Sequence, residues 1–124
     1  MSDAEWPDLI GTSNSTWEEQ ARPWDERMGA EGNDFHRLLV RPTTVRLLQL
    51  EPGQRVLDLA CGNGVVARHR ATLGARVPAA DVSASLIERA KAHDENGIEY
   101  FVADATRPED LSRLPTNPTM RWCA

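Results

Sequence analysis

Val56-Leu57-Asp58-Leu59-Ala60-Cys61-Gly62-Asn63-Gly64-Val65-Val66-Ala67 decides the reading of this chain. A short apolar run, two glycines in a tight turn and a second apolar run predict strand, turn and helix in that order. Asp58 is the one charged residue in the strand. Gly62 and Gly64 carry no Cβ, so a ligand can lie directly against the main chain there. Strand, glycine-rich turn and helix open a nucleotide-type site in an open α/β sheet. The spacing alone leaves the ligand undecided, because Gly62-x-Gly64-x-x-Ala67 also satisfies a dinucleotide fingerprint.

Downstream the pattern alternates. A strand over 55–60 leads to a helix over 65–73, closed by Gly74. A second strand over 76–80 ends at Asp81, and Ser83 caps a helix carrying Leu86, Ile87 and Ala90. Gly97 ends that helix, and a third strand over 98–103 ends at Asp104. Strands separated by helices of this length are βαβ units, hence a parallel sheet with right-handed crossovers. Ligands of such sheets bind outside the carboxyl ends of the strands, where this chain places the glycine turn, Asp81 and Asp104. Asp81 follows Gly64 by seventeen residues and is placed to accept from both hydroxyls of a ribose. Asp104 is placed to accept from an adenine amino group, with the Ala105 N–H available to a ring nitrogen. Asp58 sits deeper, to orient the turn or receive a ligand ammonium.

Upstream, residues 1–15 read as an irregular arm. Thr16-x-x-Glu19 has the form of a capping box, opening a helix through Ala21 that Pro23 interrupts or restarts. Asn33 caps a short helix over Phe35, Leu38 and Leu39, and Pro42 suits the first turn of another through Val45, Leu47 and Leu48. Pro52-Gly53 turns the chain into the first strand.

The composition bounds the class. A length of 124 residues is one domain at most, and fourteen basic against nineteen acidic residues argue against wholesale nucleic-acid binding. Nothing approaches the ~20 apolar residues of a membrane span, and no signal peptide opens the chain. A cytoplasmic protein with no membrane partner is expected. Cys61 and Cys123 show neither metal spacing nor a disulfide framework, and no metal site is expected. Cys61 reads as a small turn residue, Trp17 and Trp24 as packing residues, and His36, His69 and His93 as surface or packing residues.

Val56 to Gly64 resembles the first motif of class I S-adenosylmethionine-dependent methyltransferases. Ala80-Asp81-Val82-Ser83 resembles their ribose-binding acidic motif, and Val102-Ala103-Asp104-Ala105 their adenine-contacting motif. The segment from Trp24 to Leu50 is similar to the N-terminal helices of small bacterial members. The resemblance runs from about Trp17 to Leu114. It implies an α/β fold, a Rossmann-like parallel sheet with helices on both faces. It also implies an S-adenosylmethionine site on Asp58, Ala60, Cys61, Gly62, Gly64, Asp81, Val82, Asp104 and Ala105. The activity implied is transfer of a methyl group to an unidentified acceptor, by default a small molecule, with no general base evident. Some fifty residues with helical signals before the first strand set the chain apart from an NAD(P)-binding domain. A non-catalytic adenosyl-ligand-binding or interaction fragment is the alternative from another class.

The expected organisation is an arm over 1–15, a helical segment over 16–53, a βαβαβ core over 54–114 and an irregular tail over 115–124. Three departures from the family stand out. Pro78 falls within the second strand, where a distortion or shortened strand is expected. Arg70 occupies a helix position that should face the sheet, and is expected to snorkel or tilt the helix. After Leu114 the family continues into a fourth strand, whereas Pro115 to Ala124 holds two prolines and no strand pattern. Back-translated and read one base over, Thr119 to Ala124 can give Tyr-Asp-Ala-Val-Val-Cys, which resembles the missing motif. A frameshift near Pro115 to Pro118 is therefore expected, with Asn117 to Ala124 out of frame and only the N-terminal half of the fold retained. The first strand would then expose a bare apolar edge, open to self-association, on a catalytically incomplete chain.

Overall fold

The structure, a computed structural model, describes residues 5–115 and 121–123. Helix α1 spans Glu5–Met28, followed by a π-helical turn at His36–Val40 and helix α2 at Arg41–Leu48. Strand β1 (Val56–Leu59), helix α3 (Val65–Thr72), strand β2 (Ala79–Asp81), helix α4 (Ala84–His93) and strand β3 (Tyr100–Val102) then alternate. A one-turn helix α5 (Pro108–Leu111) and strand β4 (Arg121–Cys123) complete the described elements. All strand pairs are parallel, in the order β3-β2-β1-β4.

Period-two alternation in β1 builds a core on each face of the sheet. Val56 packs with Ala67 of α3 and with Ala75, Val77 and Ala79. Leu57 points the other way, to Ala80, Ala103 and Leu114. Asp58 shares the Val56 face and so looks towards α3. Arg70 of α3 does not snorkel: it is fully buried, with Nη1 3.6 Å from Asp58 Oδ2. The departure at the helix position is answered by a charge in the strand.

Four expectations are corrected. Residues 5–15 belong to α1 and are no irregular arm. Thr16 does not cap a helix, because its hydroxyl donates to the Thr12 carbonyl one turn earlier, inside α1. Pro23 also lies inside α1 without interrupting it. A proline removes one intrahelical N–H, a loss that a long, well-packed helix absorbs. Fourth, Val56, Leu57 and Asp58 pair with Arg121, Trp122 and Cys123, so the edge of β1 expected to be bare is covered. Ladder bonds are made by backbone groups, and the segment needs no apolar pattern to join an edge that offers them. The bare edge through which self-association was expected is therefore occupied. The reading of Asn117 to Met120 and Ala124 lies outside the described residues.

Pro78 acts as anticipated. Regular pairing in β2 begins only at Ala79, preceded by an isolated bridge between Arg55 and Arg76, and Pro78 supplies just its carbonyl, to the Asp58 N–H. Asn33 Oδ1 accepts from the His36 N–H, and Pro42 sits in the first turn of α2.

Candidate functional site

The turn after β1 is built from left-handed backbone. Ala60, Gly62 and Gly64 have φ of 58°, 57° and 85°. For Ala60 this conformation costs about 1–2 kcal/mol, borne where the chain must reverse at once from strand into turn. The two glycines do different jobs. A Cβ on Gly62 would find a single neighbour within 4 Å, Trp24 Nε1 at 3.8 Å, so this bare backbone faces open space. A Cβ on Gly64 would meet Arg68 Nη1 at 2.8 Å, Tyr100 Oη at 3.0 Å and Ala90 Cβ at 3.2 Å. Gly64 is therefore a packing glycine at the start of α3.

The open space beside Gly62 is a cavity of about 330 Å³. Of the residues read from sequence, Ala60, Gly62, Asp81, Val82, Asp104 and Ala105 line it. Asp81 is buried and held from two sides: Oδ2 accepts from the Gly62 N–H at 2.9 Å and Oδ1 from the Ser83 N–H at 3.0 Å. Each oxygen keeps a lone pair for a further donor. Asp104 Oδ1 accepts from the Thr106 N–H and hydroxyl at 2.9 and 2.6 Å, which hold its carboxyl below the usual range. Its Oδ2 accepts from Asn14 Nδ2 at 3.3 Å. Two strand-end carboxylates and a bare glycine backbone around one hollow form a receptor for a ligand rich in hydroxyl and amino donors.

A second cavity of about 210 Å³ adjoins the first, sharing Trp24, Ala60 and Gly62. Asp58, Cys61, Asn63 and Arg70 line it, with Met28, His36, Val40 and Thr44 opposite. Asp58 Oδ2 is buried and accepts no hydrogen bond among the described residues, despite the nearby guanidinium. Burial pushes this carboxyl up to about 7, Arg70 pulling it down and Asp81 pushing it further up. A cation entering the cavity would meet an acceptor already stripped of water. Burial, with Asp58 and Asp81 adding, drives the Cys61 thiol far up, which suits a turn residue and disqualifies a nucleophile. Of the nine residues read as a donor site, Gly64 alone lines neither cavity.

The comparisons decide the family. The family profile described as "Methyltransferase domain" matches residues 56–117, half of the chain. The chain belongs to this methyltransferase family. A ubiquinone biosynthesis O-methyltransferase of Mesorhizobium japonicum is 43% identical over 60 residues, covering 48% of this chain and 24% of that protein. The chain thus spans about a quarter of that relative's length. Magnesium protoporphyrin IX methyltransferase of Synechocystis PCC 6803, solved with bound SAM, superposes with a TM-score of 0.67 at 18% identity. That match covers 86% of this chain and 57% of the other, and shares the fold. The DhpI–SAM–HEP complex matches at 29% identity with a TM-score of 0.61, over 77% of this chain and 43% of that one.

The wall of the first cavity that sequence reasoning missed is α1. Asn14, Trp17 and Trp24 line the first cavity, the two indoles meeting edge to face with centroids 5.5 Å apart. Glu18 clamps α1 to the start of α4. Its carboxylate accepts from the Ser83 hydroxyl at 2.5 Å and the Ser85 N–H at 3.0 Å, and also from the Ser85 hydroxyl. Hydrogen bonds from Ser83 and Ser85 hold the Glu18 carboxyl low. Ser83 meanwhile accepts from the Leu86 N–H, capping α4 as expected.

Two turns on, buried Asp25 gathers Asn63 Nδ2 at 2.9 Å, His93 Nε2 at 2.8 Å and Arg89 Nη1 at 3.2 Å. Burial raises the Asp25 carboxyl, but bonds from Asn63, His93 and Arg89 outweigh it and hold the group low. Asn63 also donates to the Gly29 carbonyl, and Arg68 binds the carbonyls of Asn63 and Ala30. The Gly62–Gly64 turn is thus fastened to α1 by side chains from both sides. His93 is a structural partner, His69 lies 3.3 Å from Arg41, and His36 lines the second cavity with Nδ1 unpartnered among the described residues.

Proposed function

We infer that this chain is the donor-binding part of an S-adenosylmethionine-dependent methyltransferase acting on a small-molecule acceptor. One observation carries the reading: the glycine backbone of Gly62 and the carboxylates of Asp81 and Asp104 border a single cavity, continuous with a second that holds the Asp58 carboxylate, whose Oδ2 accepts no hydrogen bond among the described residues. A donor with a sugar diol, an amino-bearing ring and an ammonium at its far end matches that set. Asp81 holds the ribose hydroxyls, with Val82 and Ala60 packed beside them. Asp104 and the Ala105 backbone face the adenine edge. Asp58 receives the ammonium, while the Cys61–Gly62 backbone passes under the methionyl chain.

Bound there, the donor supplies a methyl group on a sulfonium sulfur, open to in-line displacement. The chain's residues supply alignment and dryness. Trp17 and Trp24 close the hollow from the α1 side, and Asp25 with Asn63 keeps the turn from shifting under its load. A small-molecule acceptor is supported by the Mesorhizobium japonicum relative, an O-methyltransferase of ubiquinone biosynthesis. A cytoplasmic setting fits the free thiol of Cys61.

Isothermal titration with S-adenosylmethionine and S-adenosylhomocysteine tests the donor site. Binding at about 1–100 μM is expected, with Asp81→Asn at least about tenfold weaker through loss of charge-assisted bonds to the diol. No heat at millimolar ligand, or an Asp81→Asn variant as tight as the parent, refutes the reading.

A further inference from the structure

We propose that the outward face of the π-helical turn and α2 docks on an anionic lipid surface. Large apolar side chains left in water concentrate here. Phe35 is 61% exposed, Leu38 73%, Leu39 54% and Leu47 75%, four of the eight such residues among the described ones. His36, Val40 and Thr44 turn inward to wall the second cavity, so Phe35, Leu38, Leu39, Pro42 and Arg46 share the other side. A contiguous exposed apolar patch of this kind marks an interaction surface.

Charge selects the partner. From Phe35 to Gln49 the sequence holds three arginines and no acid, in a chain of net charge −5. Arg37 pairs with Asp34, and Arg41 bonds inward to the Glu31 carbonyl. Arg46 stands on the apolar face and meets no carboxylate among the described residues. A second copy of the chain is a poor fit. A stable dimer takes about 20–30 residues a side, and a twofold contact over five residues would also press the two Arg46 side chains together in apolar surroundings. At a bilayer surface the leucines and Phe35 sink into the acyl boundary while Arg46 reaches up to a phosphate. No described helix is long and apolar enough to cross a membrane, which is why sequence reading expected no membrane partner. A face lying in the interface needs no such length.

The proposal stands apart from the donor reading, since vesicle binding is measured without donor. The test is co-sedimentation of the whole chain with vesicles of phosphatidylcholine alone and of phosphatidylcholine with phosphatidylglycerol. Binding is expected to the anionic vesicles and to weaken with added salt. The double change Leu38→Glu with Leu39→Glu should weaken it by about tenfold or more and Arg46→Glu by several-fold. Unchanged circular dichroism shows that these exposed changes leave the fold intact, and Phe35→Gln repeats the test should one of them not fold. A chain that stays in the supernatant with both vesicle types overturns the proposal. So do variants that sediment like the parent, or a parent that is dimeric in solution and becomes monomeric on Leu38→Glu.

Discussion

The two glycines of the turn should separate stability from binding. Gly64→Ala places a methyl 2.8 Å from Arg68 Nη1, 3.0 Å from Tyr100 Oη and 3.2 Å from Ala90 Cβ. The Arg68 guanidinium cannot swing aside freely, because it holds the carbonyls of Asn63 and Ala30. Left-handed strain at φ 85° adds about 1–2 kcal/mol, and crowding adds about 1–3 kcal/mol. With ~3 kcal/mol taken as the sum and an unfolding entropy of about 2.1 cal/mol/K per residue, Tm should fall by roughly 10–12 °C. Gly62→Ala carries similar strain but no clash, its nearest atom being 3.8 Å away, and should lower Tm by roughly 4 °C. Its methyl enters the cavity, so donor affinity should fall at least about tenfold, the equivalent of 1.4 kcal/mol. Calorimetric melting and donor titration of both variants read the pair. A Gly62→Ala protein that melts lower than Gly64→Ala, or that binds donor like the parent, refutes the division of labour.

Ala60→Gly should raise stability by about 0.5–1 kcal/mol, strain relief outweighing the added freedom of the unfolded chain, and an unchanged or lowered melting temperature would contradict the strain. Asp25→Ala strands Asn63 and Arg89 and should cost about 2–4 kcal/mol. Asp25 has a folded-state value below its unfolded one, so its contribution is full above about pH 4 and is lost as pH falls through the folded value. The stability gap between parent and Asp25→Ala should therefore narrow on acidification towards pH 3, and a constant gap in denaturant titrations would remove the carboxylate from the argument. Asp58 has the opposite sign: its carboxyl is raised to about 7, so below that value it is neutral and has no charge to offer an ammonium. Donor affinity should weaken as pH falls from 8 to about 5.5 and lose this dependence in Asp58→Asn; a flat profile in the parent would rule out the ammonium contact.

Much of the fold was written in short-range patterns. Strand, glycine turn and helix from Val56 to Ala67, with the aspartates that close β2 and β3, located one wall of the cavity because β-strand ends and caps obey local chemistry. The other wall was legible too, but at a period that Gly11 and Pro23 obscured. Asn14, Trp17, Glu18, Ala21, Trp24, Asp25 and Met28 recur at intervals of three and four, one face of a single helix. Reading Pro23 as a break cost that face and, with it, the two indoles and both carboxylate clamps. The ion pair of Arg70 with Asp58 joins residues whose proximity exists only once helix and strand have packed. Strand β4 escaped notice for a related reason: its partner is a backbone edge, and backbone groups leave no mark in side-chain chemistry.

The Glu18 clamp has a kinetic consequence. Its bonds to Ser83 and Ser85 lock α1 across the hollow through which, on the proposed function, a donor arrives and its spent form departs. Exchange then waits on the lifetime of those bonds, so residence time should be set at the start of α4, well away from the transferred carbon.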